Sequence, residues 1–116
     1  MKNQGFSQRL RHATLGLLWA WRRENSFRIQ AIAAMLAGAG LLILRPPPIW
    51  WAAVALVVVV VLAAELFNAA IEALSDHLHP DLHPEIRAVK DIAAAAVLCT
   101  SAGALIVGVS LIVSLL

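Results

Sequence analysis

Charge is what this sequence is short of. Only 14% of its 116 residues are Asp, Glu, Lys or Arg, while 61% are hydrophobic; an ordinary soluble domain carries about 25% charged residues. With a mean hydropathy of +0.82, the deficit points to a chain whose solvent is largely lipid. Cysteine is nearly absent as well. The single Cys99 sits in an apolar run, which excludes an internal disulfide and a cysteine metal quartet and leaves a small buried hydrophobe. A net charge of +2, with no basic run interleaved with aromatics, gives no surface for tracking nucleic-acid phosphates. No G-x-x-x-x-G-K-[ST], G-x-G-x-x-G or G-x-S-x-G occurs, so any phosphotransferase here is neither a P-loop protein nor of the protein-kinase fold. A cleavable leader is not expected, because the first long apolar run starts near Ala31, behind a mixed and basic stretch. The apolar segments are therefore expected to serve as permanent anchors of a single domain.

What is present divides into four pieces. From Phe6 to Arg23, the residues Phe6, Leu10, Ala13, Leu17 and Trp21 recur at helical spacing. Gln8, Arg11, His12, Arg22 and Arg23 fall mostly elsewhere, as in a basic amphipathic helix lying in the membrane interface. Leu15 and Trp19 fall outside the stripe and are expected to pack against the bundle. The second piece, Ala31 to Leu44, is short for a span, so its helix is expected to start around 25–28. Arg45 and the three prolines Pro46, Pro47 and Pro48 stop it, and Trp50 and Trp51 follow where an interfacial aromatic belt belongs. The third piece runs uncharged from Ile49 to Ala64. A span needs about 20 residues, so its helix must carry Glu65 and Asn68 to the edge of the hydrocarbon. A polar loop is expected over 76–90, with Pro80 and Pro84 as breakers. The fourth piece, Ile92 to Leu116, has no charge and is long enough to cross with tilt. Small residues at Ala34, Gly38, Ala104 and Gly108 are expected to let helices approach closely. The expected fold is thus an all-α integral membrane protein: an N-terminal amphipathic surface helix over 6–23 and three transmembrane helices over about 27–44, 49–72 and 92–114.

Basic residues set the orientation. Lys2, Arg9, Arg11, Arg22, Arg23 and Arg28 precede the first span, Arg87 and Lys90 precede the last, and Arg45 alone falls on the other side. Eight against one predicts a cytoplasmic N-terminus and a cytoplasmic loop between the second and third spans.

Glu65, Asn68, Glu72 and Asp76 are spaced by three, four and four, so they share one face of a helix. Like charges on one face at a membrane edge are unfavourable without a compensating cation. Glu24, at the start of the first span, supplies a further carboxylate, and carboxylate oxygens suit Mg²⁺ bridged to phosphates. The plainer alternative is that these acids solvate a helix end or pair with Arg22, Arg23 and Lys90. Lys90 could neutralise phosphate charge, with Asp91 orienting it; the alternative is an anchoring lysine at the membrane surface. His12, His77, His79 and His83 lack a convincing zinc spacing.

Three segments carry a resemblance: 24–30 (ENSFRIQ), 64–73 (AELFNAAIEA) with Asp76 just beyond, and 88–93 (AVKDIA). Their order and spacing resemble the prokaryotic diacylglycerol kinase family, which includes undecaprenol kinases, over about residues 9 to 110. The resemblance implies a homotrimer of three-span subunits in the bacterial cytoplasmic (inner) membrane. It also implies transfer of the ATP γ-phosphate to a lipid hydroxyl with Mg²⁺. Residue by residue, it gives Glu65 as the general base with Asn68 in support, and Glu24 and Glu72 as metal ligands. It gives Arg9, Glu24, Glu72, Asp81, Leu82, His83, Lys90 and Asp91 as nucleotide contacts. Ser26, Phe27, Arg28, Ile29, Gln30 and Glu65 are implied to meet the lipid. Diacylglycerol, giving phosphatidic acid, is the family's default acceptor; undecaprenol is the alternative, and from another class a small ion-coupled transporter whose buried acids carry ions.

Overall fold

Four helices account for the computed structural model, which describes residues 3, 5–81 and 83–116. The first, α1 (Phe6–Arg23), ends on Arg22 and Arg23, cations placed at the negative end of the helix dipole. Its apolar residues Phe6, Leu10, Leu17 and Trp21 are exposed, as a helix lying on lipid requires. Leu15 and Trp19 are exposed too and do not pack into the bundle. Trp19 instead lies under the Arg23 guanidinium, 5.4 Å from its ring centroid. The buried residue of α1 is Ala20, whose single methyl permits an approach that a tryptophan would block.

The chain turns sharply at Glu24, which has extended backbone (φ −110°, ψ 104°) between α1 and α2 (Asn25–Leu44). Arg28 fixes this elbow: its Nη1 donates to the Trp21 carbonyl at 3.2 Å and the Arg22 carbonyl at 3.3 Å. Carbonyls left unpaired at the end of α1 thus receive a cation from the next helix. Phe27 is buried beneath.

At the far end α2 stops on Arg45, whose φ of 47° is left-handed. A proline follows and disfavours the right-handed helical region for the residue before it; the Arg45 amide closes the turn on the Leu41 carbonyl at 2.9 Å. Trp51 then donates Nε1 to the Pro46 carbonyl at 3.1 Å. Helix α3 (Pro48–Leu78) starts with proline in its first turn, and so does α4 (Pro84–Leu115). The His83 Nδ1 caps α4 by accepting from the Glu85 amide at 3.1 Å.

The polar stretch expected as a loop over 76–90 is mostly helix, since α3 continues to Leu78 and α4 resumes at Pro84. The charges there are compatible with helix once outside lipid: Arg87 and Asp91 pair at 3.2 Å one turn apart. With 31 and 32 residues, α3 and α4 are about 46 and 48 Å long, well beyond a hydrocarbon core of about 30 Å.

Helices α2, α3 and α4 are each long and apolar enough to cross a membrane. No more than 22% of the most apolar stretch of any of them is buried within the chain, so most of their surface faces outward. The packed centre lies near the proline turn, where Leu41, Val54 and Leu111 meet with Trp50, Val58 and Val107 around them. The small residues do not bring helices together as expected. A Cβ built on Gly38 or Gly108 meets nothing within 4 Å, and Ala34, Ala104 and Gly108 line a cavity of about 580 Å³ between the three helices. Gln30 is the polar side chain of its lining.

Candidate active site along the polar end of the bundle

The site grows from one face of α3. Glu65, Asn68, Glu72 and Asp76 extend over about 16 Å of that helix, from buried Glu65 to exposed Asp76. Glu65 is 5% exposed, the most buried acid of the described residues. The Gln30 side chain on α2 lies near its carboxyl, and Gln30 Nε2 donates to Ser101 Oγ on α4 at 3.4 Å. Three helices thus contribute to the surroundings of one carboxyl. Sequence reading passed over Ser101. The signal available is comparative: Thr100, Ser110 and Ser114 turn their hydroxyls onto carbonyls of their own helix, whereas Ser101 faces a neighbour.

Asn68, just under one turn beyond Glu65 on α3, lines a crevice of about 330 Å³ with Phe67, Ala96 and Thr100 between α3 and α4. Its Oδ1 is buried and finds no hydrogen-bond partner among the described residues. An orphaned acceptor of this kind is rare and unfavourable unless a donor arrives.

Nearer the water, Glu24 at the elbow meets Glu72 and Asp76. Burial, and then the negative charges of Glu72 and Asp76, push the Glu24 carboxyl above its ordinary range. A carboxylate whose proton affinity is raised on folding opposes the folded state as pH rises from its ordinary range through the raised one. A cation between Glu24 and Glu72 would remove that penalty. Among the described residues no three His, Cys, Asp or Glu side chains converge to hold an ion unaided. A pair of carboxylates is a donor set that fits Mg²⁺, which keeps much of its hydration.

Lys90 on α4 pairs with Asp76 on α3. Asp91, expected beside it as its orienting partner, is instead held by Arg87 at 3.2 Å, because neighbouring residues point about 100° apart around a helix. The remaining predicted contacts are less gathered. About 21 Å of α1 separates Arg9 from Arg23, so Arg9 is not drawn into the elbow. Asp81 and His83 are exposed; the His83 and His79 rings stand 5.8 Å apart. Leu82 lies outside the described residues. Of the segment 26–30, Phe27 and Arg28 are engaged in the elbow, Ser26 and Ile29 are exposed, and Gln30 faces the cavity.

A comparison with curated proteins returned no match. The family model of prokaryotic diacylglycerol kinase matches residues 11–112, a stretch that contains the elbow, the acid-bearing face of α3 and Lys90. Since that match takes in nearly the whole chain, including each helix that builds the site, the protein belongs to the prokaryotic diacylglycerol kinase family.

Proposed function

We propose that this multi-pass membrane lipid kinase transfers the γ-phosphate of ATP to the hydroxyl of diacylglycerol, giving phosphatidic acid. Undecaprenol is the alternative acceptor. The observation that carries the reading is the course of the α3 face: a buried carboxyl, Glu65, stands about one turn from Val61, which lines the apolar cavity. Glu72, Asp76 and Lys90 follow on the same side toward water. One end suits a lipid hydroxyl and the other a nucleotide. An ion-coupled transporter accounts less well for a lysine at the wet end of the acids.

In this reading Glu65 is the general base. It takes the proton of the lipid hydroxyl as the oxygen attacks the γ-phosphorus and the bond to ADP breaks. A largely desolvated carboxylate is a stronger base than one in water. Asn68 offers its unpartnered Oδ1 to a donor beside Glu65. Glu24 and Glu72 would hold Mg²⁺, which supplies neutralisation of phosphate charge. Lys90 adds a compact cation for the phosphates, and Asp91, Asp81, Leu82, His83 and Arg9 are the outer nucleotide contacts. Phosphoryl transfer asks the protein mainly for positioning and electrostatics, which is what these residues provide. Assembly is proposed as a homotrimer in the inner membrane.

Membranes bearing the protein, given ATP labelled at the γ-phosphate, should yield labelled lipid when diacylglycerol is supplied. Label appearing with undecaprenol alone would reassign the acceptor, and no labelled lipid with either would overturn the kinase reading.

The orientation is tested separately. In a Cys99→Ser background, His79→Cys should react with a membrane-impermeant thiol reagent from the cytoplasmic side only, and Pro47→Cys from the outside only. The reverse pattern would put Glu72 and Lys90 beyond the reach of cytosolic ATP, and the reading would fall with the topology.

A further inference from the structure

We infer that Asp76 is a positioning residue of the phosphate-binding end, holding the Lys90 ammonium beside Glu24 and Glu72. The inference rests on the kinase reading of Lys90. It starts from two independent facts. Asp76 pairs with Lys90 across the α3–α4 interface, and Asp76 is also near enough to Glu24 for their charges to repel. One carboxylate therefore faces both the lysine on α4 and the acidic pair formed by the α1–α2 elbow and α3.

Without Asp76, Lys90 has a flexible four-carbon stem and no other hydrogen-bond or ion-pair partner among the described residues; its neighbour Asp91 is engaged by Arg87 on the same helix. An ammonium has three donors, so Lys90 can keep one on Asp76 and turn the others to a phosphate. The pair is open to solvent, with side-chain exposures of 30% for Lys90 and 64% for Asp76, and pairs of that kind add little to stability. Its contribution is to geometry: it fixes the cation at the place where nucleotide charge would arrive between α3 and α4.

The full-length protein in membranes decides the matter through three variants. Asp76→Asn should lower kcat about tenfold, a modest misplacement by the scale of positioning effects, with the KM for lipid and the thermal midpoint unchanged. Asp76→Glu keeps a carboxylate on the same face and should recover most of the lost rate. Lys90→Ala should remove the dependence, so that adding Asp76→Asn to it costs no further rate. Wild-type kcat in Asp76→Asn would overturn the inference, as would equal loss in Asp76→Asn and Asp76→Glu. A lowered KM for ATP at unchanged kcat would also overturn it, since Asp76 would then be a competitor for Lys90 and not its holder. The wild-type protein in the same assay separates the two readings: if it labels lipid and Asp76→Asn matches it, only the role of Asp76 falls; if it labels none, both fall.

Discussion

Glu65→Gln is expected to abolish lipid phosphorylation, with a loss of at least about 10²-fold, at the lower end of what a general base contributes. The substitution keeps the shape of a side chain that is 5% exposed and removes only its ability to take a proton. The bond from Gln30 to Ser101 is untouched, so the helices should stay inserted and assembled. Phosphate transfer and assembly are therefore measured on the same preparation. A glutamine variant that turns over near the wild-type rate would show that the proton leaves by another route. Loss of assembly along with activity would give Glu65 a structural task instead.

Glu72→Gln should produce the second large effect, a rise in the Mg²⁺ concentration needed for half-maximal rate, of about tenfold or more if one of two protein oxygens on the ion is lost. Glu24→Gln should do the same from the elbow side. The two differ in one respect. Removing the charge of Glu72 relieves one of the repulsions that raise the Glu24 carboxyl, so the proton that competes with metal at Glu24 should leave at lower pH. The Mg²⁺ requirement of Glu72→Gln should accordingly depend less steeply on pH than that of the wild type. Titrations of rate against Mg²⁺ at several pH values measure both quantities. If both variants titrate as the wild type does, the ion is held by other residues.

Much of this arrangement is visible in the residues alone. Four helices follow from apolar runs cut by Pro46 to Pro48 and by the polar segment, and α1 begins and ends at Phe6 and Arg23 as the sequence suggests. The spacing of Glu65, Asn68, Glu72 and Asp76 sets them on one face before any coordinates exist. What the residues hide is which of several possible partners wins. Lys90 has an acid at its side in sequence and another fourteen residues back, and the helix turn hands it to the distant one. The 76–90 stretch reads as loop because charge and proline are counted against lipid, yet those residues stand outside it, where charges pair along a helix and proline begins one. The small residues Gly38 and Gly108 permit close packing without requiring it, and within this chain they leave space. The elbow bond of Arg28 is likewise hidden in the sequence, because it depends on which carbonyls at the end of α1 come within its reach.

The unbroken run of α3 has a consequence for the membrane itself. From its first residue, Pro48, to Glu65 is seventeen steps of an uninterrupted helix, about 26 Å, and to Glu72 about 36 Å. With the proline turn floating at one surface of a core about 30 Å thick, Glu65 rides just below the opposite waterline and Glu72 just above it. No joint between them can adjust that draught. The bilayer's own thickness therefore acts as the gauge that decides whether the Glu65 carboxyl is submerged among acyl chains, and a thicker bilayer would drown the wet end along with the dry.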